Sequence, residues 1–136
     1  MGIAKLALDG VWNHIATVCH GVELNTPADK STFVVTEVRP DGIAITFKSK
    51  ESIMNIGKAA FEGALRYLLE HGHHAGAPCE IRSSSSYVDA GPLCRASRTE
   101  KEPRNSTYVL PILKEMGLVG IEPRNSAGVS TAWYIA

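Results

Sequence analysis

Apolar residues recur at intervals of three and four positions in three separate parts of the chain. This spacing places them on one face of an α-helix, and each part stops at a glycine, a common residue just past a helix end. The pattern predicts helices over residues 3–20, 55–71 and 106–116, which stop at Gly21, Gly72 and Gly117. A further short helix is predicted to start at Pro78, because proline fits the first turn of a helix without loss of a backbone hydrogen bond.

Two other parts of the chain carry β-branched and aromatic residues in short runs separated by turn residues. Residues 31–38 and 43–49 flank RPDG, whose proline and glycine favour a turn, so an antiparallel hairpin is predicted. Residues 118–122 and 130–136 flank PRNSAGV and predict a second hairpin. Helices combined with antiparallel hairpins define an α+β fold.

The serine-rich stretch at residues 83–104 has no apolar period and predicts a long loop. The chain has 136 residues, which is enough for one domain with a hydrophobic core and too few for two of ordinary size. We therefore expect a single domain over residues 1–136. Its first part, residues 1–52, holds the N-terminal helix and hairpin, and residues 53–136 hold the other helices, the long loop and the second hairpin.

The composition is that of an ordinary folded protein. Hydrophobic residues make up 44% of the chain, and 14 Lys and Arg residues balance 14 Asp and Glu residues. The sequence has no apolar run of about 20 residues and its start lacks the features of a signal peptide, so we expect a cytoplasmic protein without membrane contact. Three scattered cysteines, Cys19, Cys79 and Cys94, do not fit a disulfide framework.

The pentapeptide EPRNS occurs twice, at residues 102–106 and 122–126. A duplicated unit would repeat its hydrophobic pattern as well, but a helical pattern follows the first copy and a strand pattern follows the second. Asn and Ser bind nearby backbone groups both at helix starts and in turns. The first copy is therefore predicted to begin a helix and the second to turn a hairpin.

The order of elements in residues 53–136 is a longer helix, a short helix, a third helix and a two-stranded hairpin, which resembles a winged-helix domain. In that family the third helix presents its N-terminal residues to the DNA major groove, and the hairpin, or wing, contacts the backbone or minor groove. The resemblance implies contact with duplex DNA through residues 104–108 at the helix start and 124–126 at the wing tip. Arg commonly binds guanine and phosphate, Asn binds adenine, and hydroxyls bind phosphate.

Basic residues in the long loop extend this predicted surface, although the neutral overall charge gives no general attraction to a polyanion. The candidate nucleic-acid contacts are Arg95, Arg98, Lys101, Arg104, Asn105, Ser106, Thr107, Tyr108, Arg124, Asn125 and Ser126. The N-terminal helix, with Trp12 and Cys19 on its apolar face, is predicted either to pack on the first hairpin or to form a homodimer interface, since winged-helix proteins often pair to read two half-sites.

A histidine cluster raises the question of a metal. His71, His73, His74 and Cys79 lie within nine residues and carry nitrogen and sulfur ligands suited to zinc. Their spacing fits no standard finger or knuckle, and adjacent histidines at a helix end are also favoured by the helix dipole. Both interpretations stay open, and no metal or other cofactor is assigned.

Enzyme chemistry has little support in the sequence. Glu37, Asp41 and Lys48 follow an order faintly like the two acidic groups and lysine of metal-dependent nucleases, but Thr46 stands where such a set has an acidic residue. RPDG is also good turn chemistry. No motif supports a cysteine or serine nucleophile, and no glycine-rich phosphate loop is present.

Three hypotheses about function follow from these patterns. The leading one is a non-catalytic DNA-binding protein, either a small regulator or the specificity module of a defence or mobile-element system. The alternative is a protein-binding module or inhibitor that uses the same loop and wing against a protein partner. The third is a subunit of a metal-dependent nuclease.

Overall fold

The computed structural model describes residues 3–18, 21–26, 32–47, 53–81, 91–97, 106–122 and 130–135. Its elements in chain order are α1 (Ile3–Val11), α2 (His14–Val18), β1 (Glu23–Asn25), β2 (Thr32–Arg39), β3 (Gly42–Phe47), β4 (Ile53–Gly57), α3 (Lys58–Glu70), β5 (Cys79–Glu80), α4 (Pro92–Ala96), α5 (Ser106–Glu115), β6 (Val119–Glu122) and β7 (Thr131–Tyr134). The strands form two antiparallel sheets, so the fold is α+β, as the sequence predicts.

The N-terminal segment forms two helices, and the prediction of one continuous helix over residues 3–20 is wrong. The chain leaves α1 at Trp12, whose indole Nε1 donates a hydrogen bond of 2.7 Å to the Arg39 carbonyl. The same ring lies edge-on to Phe61, 5.2 Å between centroids, and is 3% exposed. The helix is therefore interrupted where its tryptophan anchors it in the core, so the packing alternative is confirmed for Trp12.

The first hairpin is confirmed and belongs to a four-stranded sheet with the strand order β1-β2-β3-β4. Strands β2 and β3 pair from Arg39 opposite Gly42 to Phe33 opposite Phe47, with a bulge between Val35 and Glu37. The buried residues Ile43, Ala44 and Ile45 follow each other along β3. Successive strand residues point to opposite faces, so both faces of this strand are covered.

Residues 53–57 form the edge strand β4, so the prediction that the long helix begins at residue 55 is wrong. Ile56 lies opposite Ile43 and is 1% exposed. The apolar positions 54 and 56 fit the two-residue period of a strand, whereas Ile56 and Ala60 fit the spacing of a helix. Pairing with β3 decides in favour of the strand. The helix α3 starts one residue after Gly57, where the Lys58 N–H bonds to the Asp41 carbonyl at 2.8 Å.

The second half of the chain carries a three-stranded sheet with the order β5-β7-β6, and β6 with β7 forms the second predicted hairpin. The short helix predicted from Pro78 is absent: Cys79 and Glu80 form a strand that pairs with β7. Two residues are too few to show an alternating pattern. The predicted loop 83–104 contains α4, whose Leu93 and Cys94 are fully buried and whose Pro92 stands in the first turn.

The buried residues of the described ranges form a core that runs from the N-terminal helices through the larger sheet and α3 to α5 and the small sheet. Its largest fully buried side chains include Phe33, Phe61, Ile45 and Leu110. None of the helices in these ranges has both the length and the apolar character needed to cross a membrane.

Candidate nucleic-acid interface

Helix α5 and strand β6 form one continuous unit joined by a tight turn. Gly117 has a φ of 78°, a conformation that side-chain-bearing residues rarely adopt. Its N–H bonds to the Lys114 carbonyl and the Leu118 N–H bonds to the Leu113 carbonyl, both at 3.0 Å, which is the Schellman arrangement at a helix end. The predicted helix over residues 106–116 is thus confirmed, and the strand leaves directly from its end.

Helix α4 is held against α3 by an unusually close backbone approach. A Cβ atom placed on Gly63 would lie 2.0 Å from the Ala96 carbonyl oxygen, so only glycine fits there. Leu93 and Cys94 fill the space between α4 and its neighbours and are fully buried. This contact leaves Arg95 exposed on the outer side of α4.

The structure describes four of the eleven predicted nucleic-acid contacts. Arg95 is exposed on α4, Ser106 is the first residue of α5, and Thr107 and Tyr108 are half-buried in its first turn. The other seven lie outside the described residues: Arg98, Lys101, Arg104, Asn105, Arg124, Asn125 and Ser126. They belong to the segment that immediately precedes α5 and to the segment that joins β6 to β7.

Tyr108 has a packing role that the sequence pattern did not indicate. Its ring lies edge-on to Phe33 at 5.4 Å and to Phe47 at 5.1 Å between centroids. Phe33 and Phe47 are opposite each other in the β2–β3 hairpin. The first turn of α5 is therefore fixed to the larger sheet through an aromatic cluster, and the ring of Tyr108 is engaged there.

The middle of α5 is buried on every side. All five residues from Val109 to Leu113 are buried, including Pro111, and a helix that is buried all round belongs to the core. Exposed side chains resume only at Lys114, in the last turn. The helix can therefore offer a ligand its first turn and the residues before it, but not the length of one side.

The described part of the hairpin carries acidic rather than basic groups on its outer face. Glu80 and Glu122 both lie opposite Thr131, in one row across the three strands. In the next row on the same face, two residues along the strand, Trp133 lies opposite Gly120, and a Cβ on that glycine would come within 2.4 Å of the indole. The carboxylates of Glu80 and Glu122 would repel phosphate from the sheet itself. A phosphate contact in this hairpin would therefore have to come from the segment at its tip.

Charge is unevenly divided between the described framework and the segments between its ranges. The framework holds six basic and nine acidic residues. Because the chain has fourteen of each, the remaining segments hold eight basic and five acidic residues. The excess positive charge thus belongs to the connecting segments, among them those with the two EPRNS copies.

The histidine cluster offers no metal site within the ranges that the structure describes, where no group of three or more potential ligands comes together. Each imidazole uses its Nδ1 in a backbone hydrogen bond: His71 to the Tyr67 carbonyl at 3.0 Å, His73 to the Ala77 carbonyl at 2.9 Å, and His74 from the Gly76 N–H at 3.0 Å. Burial raises the pKa of the Cys79 thiol to about 11.

The acidic residues of the first hairpin turn surround an arginine. Glu37 lies 3.3 Å and Asp41 3.8 Å from the guanidinium of Arg39, which also donates a hydrogen bond of 3.2 Å to the side-chain oxygen of Asn55. Lys48 lies outside the described residues. Glu37 and Asp41, the carboxylates that the nuclease hypothesis assigns to a metal, thus both form ion pairs with Arg39.

Comparison with known proteins identified no relative: no family model, curated protein or solved structure matches this chain. The candidate interface therefore depends on the chain's own geometry. The sequence pattern did not predict α4 and β5, two elements of the framework around the candidate interface. It also did not predict the stack of Tyr67 with His71 and His73 near the base of the small sheet. The four-residue spacing of Tyr67 and His71 at the end of a predicted helix was the available signal for the stack.

Proposed function

We propose that the protein is a non-catalytic DNA-binding protein of the winged-helix kind, which contacts DNA through the start of α5 and the tip of the β6–β7 hairpin. The order of elements carries this proposal. Helices α3, α4 and α5 are followed at once by a two-stranded hairpin, with α4 supplying the short second helix that the sequence pattern had placed at Pro78. One EPRNS copy ends at the first residue of α5 and the other begins at the last residue of β6.

The turn at Gly117 supports a single surface built from both copies. Helix α5 and strand β6 pack against each other on either side of this turn. In a helix–turn–strand unit that folds back on itself, the start of the helix and the end of the strand lie at the same end. Arg104 and Arg124 would then face one ligand together.

The burial of α5 restricts the mode of contact. A helix that reads bases along its side needs an exposed face several turns long, because the major groove is about 12 Å wide and receives the whole helix. In the proposed complex only the start of α5 and the tip of the hairpin would contact DNA. Binding should therefore depend mainly on phosphate contacts from the positively charged segments, with base reading limited to residues 104–107 and 124–126.

A salt titration of binding to a labelled mixed-sequence duplex tests this proposal. The wild type is compared with the double substitution Arg104→Ala/Arg124→Ala. A matched control, Lys5→Ala/Arg66→Ala, removes the same charge from exposed positions on α1 and α3. We expect wild type and control to bind with a steep negative salt dependence, and the test variant to lose affinity and about two phosphate contacts' worth of slope. Absence of duplex binding by the wild type at low salt would overturn the proposal.

A protein-binding role for the same loop and wing is the second candidate. Large apolar side chains exposed on α1 and β4, Ile3 at 73%, Leu6 at 58% and Ile53 at 69%, favour a protein partner in general, although they lie outside the loop and wing. An interface of this kind loses little affinity as salt rises, in contrast to phosphate binding. Binding to a protein partner with little dependence on salt, in a protein that does not bind DNA, would support this function.

A further inference from the structure

Three aromatic rings lie together where α3 ends. The Tyr67 and His71 rings are stacked with 4.1 Å between centroids and 22° between planes. The His73 ring lies 5.9 Å from Tyr67 and 6.4 Å from His71, again within 20° of parallel. We refer to these three side chains as the ring cluster.

The centroid distances show that one face of His71 is open. If His71 were sandwiched between Tyr67 and His73, the separation of those two rings would approach the sum of the other two distances, and 5.9 Å is well short of that. His71 is exposed and contacts Tyr67 with one face only, since its further ring neighbour in the described ranges, His73, lies to the side. A flat, solvent-facing aromatic surface results.

The backbone holds both imidazoles of the ring cluster in place and fixes their tautomers. His71 and His73 each direct Nδ1 at a carbonyl oxygen, which only accepts, so Nδ1 must carry the hydrogen. Each neutral ring then keeps an Nε2 lone pair for an external N–H donor. No carboxylate of the described residues forms an ion pair with either imidazole.

The ring cluster lies at the base of the small sheet. The Tyr134 N–H donates a hydrogen bond of 2.9 Å to the His73 carbonyl, and Tyr134 ends β7. Strand β7 begins at Thr131, next to the hairpin tip, and its four residues span about 10 Å. In the proposed complex a single-stranded extension would cover this distance from the tip, with its phosphates turned away from the carboxylates of Glu80 and Glu122.

From this geometry we infer a second binding element: the open face of His71 stacks with an unpaired nucleobase of a single-stranded extension, which makes the preferred ligand a duplex with a single-stranded end. This inference rests on the proposed DNA-binding function. A nucleobase fits the surface because it is planar, stacks on aromatic rings without regard to sequence, and offers amino and imino hydrogens to the Nε2 lone pairs. The bases of an intact duplex are stacked on each other and have no free face.

The test compares three duplexes that share one double-stranded part. The first is blunt, the second has an extension of about ten nucleotides, and the third has an abasic extension of the same length and charge. The variants are His71→Ala, His71→Phe, which keeps an aromatic ring, and His14→Ala, a matched control that removes an exposed histidine from α2. His71 is exposed, so its replacement should leave the thermal unfolding curve in place.

We expect the wild type and His14→Ala to bind the base-bearing extension about tenfold more tightly than the abasic one, with His71→Phe close to wild type. His71→Ala should lose this preference and keep its affinity for the blunt duplex. Equal binding of the base-bearing and abasic extensions by the wild type, or a preference that survives in His71→Ala, overturns the inference and leaves the proposed function intact. Failure to bind any of the three duplexes overturns both.

Discussion

The two sheets of this protein differ in how they are stabilised. The larger sheet has four strands, and β3, one of its two central strands, carries four consecutive buried residues, Gly42 to Ile45. The small sheet has strands of two to four residues, and its hairpin strands are joined by a polar segment of high turn propensity. The larger sheet contributes several large buried side chains of its own, among them Phe33, Ile45 and Ile56, whereas the small sheet is held mainly by its packing against α3 and α5.

The contrast indicates how a binding surface is separated from the core. The larger sheet fixes the start of α5 through the aromatic contacts of Tyr108, so the helix start is rigid although its residues lie close to the proposed ligand. The segments with the two EPRNS copies, residues 98–105 and 123–129, hold four basic and two acidic residues and lie outside this framework. Stability and the proposed ligand contact thus depend on different residues, and substitutions should separate them.

The largest expected effect comes from Gly63, where α3 and α4 meet. In Gly63→Ala the new methyl group would meet the Ala96 carbonyl, and backbone atoms cannot move aside as a side chain can. We expect the free energy of unfolding to fall by roughly 4 kcal/mol, above the usual cost of overpacking. Chemical denaturation of the wild type and the variant measures this difference in the free energy of unfolding.

Gly10→Ala is the matched control, since Gly10 is also a helix residue but its Cβ would meet no atom within 4 Å. Alanine is the better helix former, so this variant should gain about 0.5–1 kcal/mol. Equal effects at the two positions would show that glycine flexibility, rather than the approach of α4, governs the result.

A smaller effect is expected at Tyr108, where the larger sheet meets α5. Tyr108→Ala removes two edge-on ring contacts and should lower the free energy of unfolding by about 3 kcal/mol. Tyr108→Phe keeps both rings in contact and should change stability by less than about 1 kcal/mol. If Tyr108→Phe kept its stability but lost DNA affinity, the hydroxyl would be a ligand contact after all.

The smallest effect concerns Cys79 in the small sheet. Burial raises the pKa of its thiol from 9.0 to about 11, so folding favours the protonated form. Its contribution to stability is complete below pH 9 and is lost as the pH rises from 9 to 11, where the unfolded thiol ionises first. The stability difference between wild type and Cys79→Ala should shrink by roughly 1 kcal/mol over this interval, less than the full shift in pKa gives, because solvent screens part of the interaction. A constant difference would contradict burial as the cause.

The sequence pattern predicted those elements that carry several periods of apolar residues. The β2–β3 hairpin, the body of α3, helix α5 and the β6–β7 hairpin were all recognised in this way. Strand β5 has only two residues and α4 only five, too few to show a period, so their neighbours determine them. Residues 53–57 fitted both periods, and only the partner strand β3 decided for a strand.

The candidate site was less predictable than the fold. The sequence indicated that the two EPRNS copies begin a helix and turn a hairpin, but not that Tyr108 would contact Phe33 and Phe47, because that contact joins residues distant in the chain. It also drew attention to the histidines as metal ligands. Their pairing with Tyr67 and the backbone became visible only once the end of α3 and the following turn were placed.

The most direct test of the central claim, that both EPRNS segments form one DNA-binding surface, is chemical-shift mapping of the backbone amides during titration with a blunt duplex. We expect the largest shifts in residues 98–107 and 124–129, with the buried middle of α5 and the larger sheet almost unchanged. Shifts confined to one segment, or centred on exposed residues of α1 and β4, would contradict the claim and direct attention to the apolar side chains there.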